Sequence, residues 1–188
     1  MVTKEDLIYR QVFTLKDGAR ILLRPLTPED RQALLDLYAP VSADDLRYMR
    51  DNVKDPQLIH DWIDHLDYAK VFPLVAVFGS RIVGSATLHY HSGPDRHRAE
   101  VRIFLSKDFR RRGVGSRLLQ GLIELAKRHN LFILEAEIVS DQNPIIRAFQ
   151  SLGFETRCIY ADYFMLPDGD LRDVAHLILR LRDSEEQF

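Results

Sequence analysis

The stretch Arg110–Ser116, which reads Arg-Arg-Arg-Gly-Val-Gly-Ser, most constrains the fold. It lies between a predicted strand at residues 98–105 and a predicted helix whose apolar residues share one face. These residues are Leu118, Leu119, Leu122, Ile123 and Ala126. Two glycines one residue apart let main-chain N–H groups point outward, and the helix start adds unpaired N–H groups and a positive dipole end. The pattern predicts a phosphate-binding loop, to which the arginines add charge.

Two standard nucleotide motifs do not fit this loop. A Walker loop requires Gly-Lys-Ser or Gly-Lys-Thr, whereas Ser116 directly follows Gly115. A dinucleotide fingerprint requires a third glycine where Leu118 lies, although Glu135 or Glu137 could serve as its ribose-binding acid. A purely structural role for the glycine pair in a tight turn stays open.

Hydrophobic periodicity and turn residues predict an alternation of strands and helices along the whole chain. The predicted strands are residues 19–25, 74–78, 81–90, 98–105, 131–139, 154–166 and 172–181. The predicted helices begin after Thr27, after Gly113 and at Pro144, with two short helices broken near Pro56. We therefore expect one α/β domain over residues 1–188, with its core at about 20–182. Its mixed, largely antiparallel central sheet is flanked by helices.

Composition excludes several classes of protein. Cys158 is the only cysteine, so the chain cannot form an internal disulfide or a cysteine-based metal site, and we expect a cytoplasmic protein. The longest apolar run, residues 72–78, is too short to span a bilayer, and we expect no membrane partner. A formal net charge of -2 argues against nucleic acid as a partner. His89 and His91 share a strand face but lack a third ligand, so we expect no metal.

Local charge is uneven. Residues 107–117 carry an excess of four cations, which suits an anionic ligand. Residues 44–67 carry seven aspartates and an excess of four anions, which suits a cationic ligand. Both stretches can alternatively be solvated faces that keep the protein soluble.

Three motifs in order resemble the GNAT family of N-acetyltransferases. Arg110-x-x-Gly113-x-Gly115 follows a strand that carries Ala99-Glu100-Val101 and is similar to the acetyl-CoA signature of that family. Asn143-Pro144-Ile145-Ile146, leading to Leu152-Gly153-Phe154, is similar to its second motif. The Asn-Pro form of that motif, Arg47-Tyr48 in a helical insertion and Asp67-Tyr68 before the next strand resemble the catalytic domain of bacterial protein lysine acetyltransferases.

The resemblance implies acetyl-CoA as the acyl donor. Main-chain groups of Phe104, Leu105 and Ser106 would then bind the pantetheine and thioester, where the strand that carries Glu100 separates from its neighbour. The pyrophosphate would be held by Arg110, Arg111, Arg112, Gly113, Val114, Gly115 and Ser116. The second motif would add Asn143 to the cofactor-binding residues.

The resemblance also implies direct attack of an amine on the thioester. Glu100 matches the position of the general base of the family, and a base is needed because an amine with a pKa near 10.4 is protonated at neutral pH. The alternative that Glu100 is only a surface carboxylate on a strand stays open. Phe149 replaces the tyrosine that serves as general acid in many members, so no acid is assigned and the thiolate would leave unaided. Tyr160 and Tyr163 are expected to pack in a strand.

We therefore expect an acetyl-CoA-dependent N-acetyltransferase that acts as a monomer or homodimer. In this family the insertion at residues 42–68 forms a wall of the acceptor site, so its acidic character predicts a cationic acceptor such as protein lysine. Polyamines and aminoglycosides are alternatives, and so is a catalytically silent acyl-CoA-binding module. Within the insertion, Trp62 is expected to pack between helices, with a place at the border of the acceptor groove as the alternative.

Overall fold

The computed structural model of the chain describes residues 2–182. Over that range the chain forms eight strands and six α-helices. The strands are β1 (Gln11–Thr14), β2 (Arg20–Pro25), β3 (Val71–Phe78), β4 (Arg81–Tyr90), β5 (Arg98–Leu105), β6 (Ile133–Val139), β7 (Glu155–Met165) and β8 (Leu171–Arg180). The helices are α1 (Lys4–Leu7), α2 (Arg31–Tyr38), α3 (Ala43–Leu46), α4 (Pro56–Asp64), α5 (Val114–Arg128) and α6 (Asn143–Gln150).

All eight strands join one sheet in the order β1-β2-β3-β4-β5-β6-β8-β7. Every neighbouring pair is antiparallel except β5 and β6, which are parallel. This parallel pair is joined by the crossover that contains α5, as a parallel connection requires. The mixed, mostly antiparallel sheet predicted from the sequence is confirmed.

The parallel strands β5 and β6 are paired over only part of their length. In the described chain, β5 and β6 are hydrogen-bonded over Arg98–Glu100 and Ile133–Glu135, and their pairing ends at Glu100 opposite Glu135. On its other side β5 stays paired with β4 as far as Leu105. The two strands therefore diverge beyond Glu100 and leave a cleft between them.

Helices cover both faces of the sheet. Strand β3 is buried along almost its whole length, because its residues alternate between two cores. Phe72, Leu74 and Ala76 join the core under α5, and Val75 and Val77 join the core under α2 and α4. This two-sided burial explains why the longest apolar run of the sequence is a strand.

Residues 2–10, for which the sequence predicts no element, contain α1 and lead into the edge strand β1. Thr3 caps α1, and the carboxylate of Asp6 is buried 3.0 Å from Nε2 of His129 at the end of α5. The other ring nitrogen of His129 lies 2.6 Å from the hydroxyl of Tyr90. These buried contacts fasten the amino-terminal segment to α5 and β4.

Helix α4 begins at Pro56. Asp55 caps α4 by accepting a hydrogen bond from the main-chain N–H of Gln57, and Pro56 occupies the first helical position, where it is favoured. The segment between α3 and α4, residues 47–55, is irregular. None of the helices described over residues 2–182 is long and apolar enough to span a membrane.

Candidate active site

The glycine loop forms a left-handed turn that opens α5. Arg111 and Gly113 both have positive φ angles, of 58° and 86°, and Gly113 is the residue that precedes the helix. The main-chain N–H of Arg117 donates to the carbonyl of Gly113 at 3.2 Å, which is the first hydrogen bond of the helix. The N–H groups of the preceding helical residues have no carbonyl partner within the helix and are available to an anion.

The two glycines have different roles. A Cβ at Gly113 would meet no atom within 4 Å, so the space beside this residue is open. A Cβ at Gly115 would lie 3.1 Å from Cδ1 of Leu105, so this glycine lets α5 approach β5 closely. The loop therefore offers an uncovered main chain at a helix start, which is a geometry that can hold an anion.

Two of the three loop arginines are paired with carboxylates of this chain. Nη1 of Arg110 donates to Asp45 at 2.8 Å, and its Nε donates to the carbonyl of Leu105 at 3.1 Å. Arg112 pairs with Asp17. Arg111 is exposed. The cationic excess of residues 107–117 is thus partly neutralised within the protein.

Of the predicted cofactor-binding residues outside the loop, Phe104 lines the cavity of the cleft, whereas Ser106 and Asn143 are not among its lining residues. Phe104 lines the cleft at the end of β5. The hydroxyl and the main-chain N–H of Ser106 both donate to the carbonyl of Val83, and its own carbonyl accepts from Phe109, so the polar groups of Ser106 are already engaged. Asn143 is exposed at the first position of α6, where its amide lies 3.5 Å from the carbonyl of Asp141.

A cavity of about 580 Å³ occupies the cleft and extends under the insertion between α2 and β3. One wall is the diverging part of β5, and the other is the end of β6 with α6. Apolar and aromatic side chains dominate its surface, among them Tyr38, Met49, Trp62, Phe104 and Phe149. Trp62 therefore both packs in the insertion, edge-on to Tyr38 at 6.1 Å, and borders the cavity.

Glu100 lies in this cavity at the point where β5 and β6 part. Both of its carboxylate oxygens accept from Arg102, at 3.0 Å from Nε and 2.9 Å from Nη2. Nε of Arg50 lies 3.6 Å from Oε1 of Glu100. Burial by itself raises the pKa of Glu100, but the two guanidinium groups outweigh it and hold the pKa below its ordinary value of 4.5. Glu100 is therefore a carboxylate at neutral pH.

Two neighbouring groups of the cavity stay uncharged. His89 faces Glu100 across β4 and β5 and hydrogen-bonds to the hydroxyl of Thr87 at 2.9 Å, while burial lowers its pKa to about 4. Burial raises the pKa of Tyr38 to about 12, and its hydroxyl hydrogen-bonds to Ser85. Among residues 2–182, no group of three or more His, Cys, Asp or Glu side chains is arranged to hold a metal ion.

Phe149 is buried against Phe154, with ring centroids 5.0 Å apart, and lines the cavity without a hydroxyl. Tyr163 also lines the cavity, but it is 59% exposed and its ring stacks at 4.9 Å on Tyr160. The sequence predicts that both tyrosines pack within a strand. Tyr160 does not line the cavity, whereas Tyr163 both packs on Tyr160 and reaches the cavity.

The acidic stretch does not act as one wall. Asp45 pairs with Arg110, Asp55 caps α4 and Asp64 pairs with Arg31. In contrast, three other aspartates line the cavity. These are Asp51, Asp61 and Asp67. The stretch therefore divides by position into aspartates outside the cavity and aspartates that line it. Two of the lining aspartates also have partners, since Asp61 accepts from Gln57 at 2.9 Å and Asp67 pairs with Lys70 at 3.4 Å.

Several cavity residues are not apparent in the sequence. Arg102 has a local signal, since it lies two residues from Glu100 and so shares its strand face. Tyr38 and Arg50 have none, because they reach the cavity from distant elements. In the sequence Glu137 is recognisable only as a candidate ribose-binding acid, whereas in the structure it pairs with Arg50 inside the cavity.

A sheet whose parallel pair parts beside a glycine-rich helix start is the architecture of acyl-CoA-dependent N-acyltransferases. The model of the acetyltransferase (GNAT) family matches residues 32–154, and the chain belongs to this family. The resemblance noted in the sequence is thus confirmed, and the protein is an N-acetyltransferase that uses acetyl-CoA.

Solved structures agree with this assignment at the level of the fold. The GNAT domain of S. lividans PAT is 20% identical with a TM-score of 0.77, and the match covers 96% of this chain and 99% of that one. Ribosomal-protein-alanine N-acetyltransferase from Brucella melitensis is 24% identical with a TM-score of 0.75, covering 84% and 98%. The structure of yncA from Salmonella typhimurium with its cofactor acetyl-CoA is 20% identical with a TM-score of 0.75, covering 88% and 96%.

Proposed function

We propose that this enzyme acetylates a cationic primary amine on an apolar stem, with a protein lysine as the favoured acceptor and Glu100 as the general base. The observation that carries this proposal is the position of Glu100 in an apolar cavity at the point where the strands separate. The charged residues that line the cavity support a cationic acceptor, because five carboxylates outnumber three cations. They are Asp51, Asp61, Asp67, Glu100 and Glu137 against Arg50, Lys70 and Arg102.

A lysine side chain matches this lining. Its four methylene groups can lie along aromatic walls such as Trp62 and Phe104, while its ammonium group reaches a carboxylate. Burying an apolar stem contributes about 0.8 kcal/mol per methylene group, so the walls favour such an amine over a compact hydrophilic one. Spermidine and aminoglycosides offer cationic amines as well and stand as alternatives for the experiment to separate.

Acetyl-CoA supplies a thioester that a neutral amine can attack and a thiolate that can leave. In this proposal the loop Arg110–Ser116 binds the pyrophosphate through main-chain N–H groups, and the open edge of β5 at Phe104 and Leu105 orients the acyl arm. Glu100 accepts the proton of the incoming ammonium group, directly or through water, because that group is otherwise protonated at neutral pH. The phenyl ring of Phe149 offers no proton, so the thiolate leaves without a general acid.

The lone cysteine supports a reducing, cytoplasmic compartment as part of this proposal. Cys158 is a free, partly buried thiol on β7. A free thiol is more readily maintained where glutathione and thioredoxin keep cysteines reduced.

The test of the base is Glu100→Gln, with Glu155→Gln on the exposed edge strand as the matched control. We expect the Glu100 variant to keep its affinity for acetyl-CoA and to lose about 10² to 10⁴ in turnover at pH 7. The defect should shrink as the pH rises toward the pKa of the amine, because more of the amine is then neutral without a base. Wild-type turnover in this variant at pH 7 would place the base elsewhere.

The test of the acceptor compares a lysine-rich protein, spermidine and small amino acids by thiol release and acetyl mass shift. We expect the lysine-rich protein to be preferred. Replacing Asp51 and Asp61 with asparagine should weaken that preference, whereas the same change at Asp44 and Asp64, which do not line the cavity, should leave it intact. A preference for neutral or acidic amines would contradict a cationic acceptor.

A further inference from the structure

Arg50 lies between two carboxylates at the mouth of the strand cleft. Its Nη2 donates to Oε2 of Glu137 on β6, and its Nε lies 3.6 Å from Oε1 of Glu100 on β5. The pairing of β5 with β6 ends at Glu100 and Glu135, so Glu137 lies two residues beyond the last paired position of β6. A guanidinium group of the protein therefore bridges the two strands where they begin to diverge.

The two cations beside Glu100 differ in how firmly they are held. Arg102 is on the same strand as Glu100 and grips both carboxylate oxygens, so its position follows from the sheet. Arg50 comes from the irregular segment between α3 and α4, and its side chain is 40% exposed. It contacts Glu137 more closely than Glu100, so it can leave Glu100 and still keep a carboxylate partner.

We propose that Arg50 is an internal competitor of the acceptor ammonium group and that Glu137 is the partner to which it withdraws. The inference rests on the proposed function, because it takes Glu100 as the carboxylate that receives a cationic amine. An ammonium group that approaches Glu100 meets the like charge of Arg50 and must displace it. Arg50 and Glu137 thereby determine how readily cationic acceptors bind, although neither takes part in the proton transfer.

The matched control for Arg50 is present in the same segment. Arg47 forms a similar partly exposed ion pair, with Asp168 at 3.2 Å, but it does not line the cavity. Arg50→Gln and Arg47→Gln each remove one guanidinium group from this segment, Arg47 with its pair to Asp168 and Arg50 with its pairs to Glu100 and Glu137. A general effect on the segment would therefore appear in both variants. An effect of competition at Glu100 would appear only in Arg50→Gln.

The first measurement is the dissociation constant of N-α-acetyl-lysine amide by calorimetry in the presence of coenzyme A, where no turnover occurs. We expect Arg50→Gln to bind this amine roughly two- to fivefold more tightly than wild type, the range that one partly exposed ion pair supports. The same variant should show a lower KM for that acceptor with its affinity for acetyl-CoA unchanged. Arg47→Gln should match wild type. Weaker amine binding in Arg50→Gln would overturn the proposal, because Arg50 would then assist the acceptor.

The second measurement is a double-mutant cycle with Glu137→Gln. Without Glu137, Arg50 has Glu100 as its remaining partner in the cavity, so the single variant should bind the amine more weakly. In the Arg50→Gln background the same change should have a smaller effect, because the part of the loss that acts through Arg50 is then absent. An equal loss in both backgrounds would show that Glu137 contacts the amine itself and would overturn the withdrawal role.

These outcomes separate this inference from the proposed function. If the enzyme acetylates no cationic amine, the proposed function fails before either variant is compared. If it acetylates lysine and both Arg50→Gln and Glu137→Gln bind the amine as wild type does, the competition fails while the proposed function stands. Thermal unfolding of each variant shows whether a change in affinity reflects a loss of structure, and Glu100→Gln, which keeps Arg50, reports the base independently.

Discussion

The role of the glycine loop can be tested with two alanine substitutions at positions of equal backbone geometry. Gly113 has a φ of +86° and Gly169, in the turn between β7 and β8, has a φ of +88°. At neither position would a Cβ meet an atom within 4 Å. Each substitution should therefore cost only the left-handed backbone strain of about 1–2 kcal/mol, and in a chain of this size about 2–4 °C in Tm per kcal/mol.

Binding should distinguish the two variants. At Gly113 the added methyl group enters the open space at the start of α5, where the pyrophosphate is proposed to lie. Losing one hydrogen bond from a main-chain N–H to a charged oxygen costs about 1.5–3 kcal/mol, which corresponds to about a 10- to 150-fold weaker Kd. Gly169→Ala should keep the wild-type affinity. A valine at Gly113 is expected to abolish binding in a protein that still folds, whereas a valine at Gly115 would also press on Leu105 and destabilise the contact of α5 with β5.

The assay pairs thermal unfolding with calorimetric titration of acetyl-CoA. Similar losses in Tm for Gly113→Ala and Gly169→Ala, with weaker binding only in the first, would support the loop as the phosphate cradle. Equal affinities in the two variants would refute the reasoning, because a methyl group at Gly113 cannot share the space of a bound phosphate.

Three further predictions concern salt, the second tyrosine and the amino-terminal contact. The affinity for acetyl-CoA should fall as the salt concentration rises, since screening shortens the reach of the loop arginines to about 8 Å at physiological ionic strength. An affinity that does not change with salt would contradict this prediction. Tyr163→Phe should leave turnover within about twofold of wild type, because no general acid is needed; a loss near the 10²-fold of acid catalysis would identify Tyr163 as that acid. Burial lowers the pKa of His129 below 6.5, so its contribution to stability is present above pH 6.5 and is lost as the pH falls. Denaturant unfolding at pH 5–8 should therefore show a flatter pH dependence in His129→Gln than in wild type, and an unchanged slope would contradict this.

Local pattern was sufficient for the main elements of the fold. The hairpin of β3 and β4, the apolar face of α5 and the glycine pair before it are encoded by neighbouring residues, because a tight turn and a helix period both lie within a few positions. The amino-terminal α1 and β1 were not predicted from the sequence. Four-residue elements have too few positions to show a period, and they are stabilised by distant contacts such as Asp6 with His129.

The sequence by itself determined the candidate phosphate loop and the strand that carries the candidate base, since Gly113, Gly115 and Glu100 lie within one strand–loop–helix unit. Only the tertiary structure decided which charges surround that base and which carboxylates neutralise the loop arginines. Arg50 and Glu137 are 87 positions apart, and Arg110 and Asp45 are 65 apart. No local period relates such residues. Their pairing depends on where β5 and β6 stop hydrogen-bonding and on which irregular segment crosses that gap, and both follow from packing of the whole sheet.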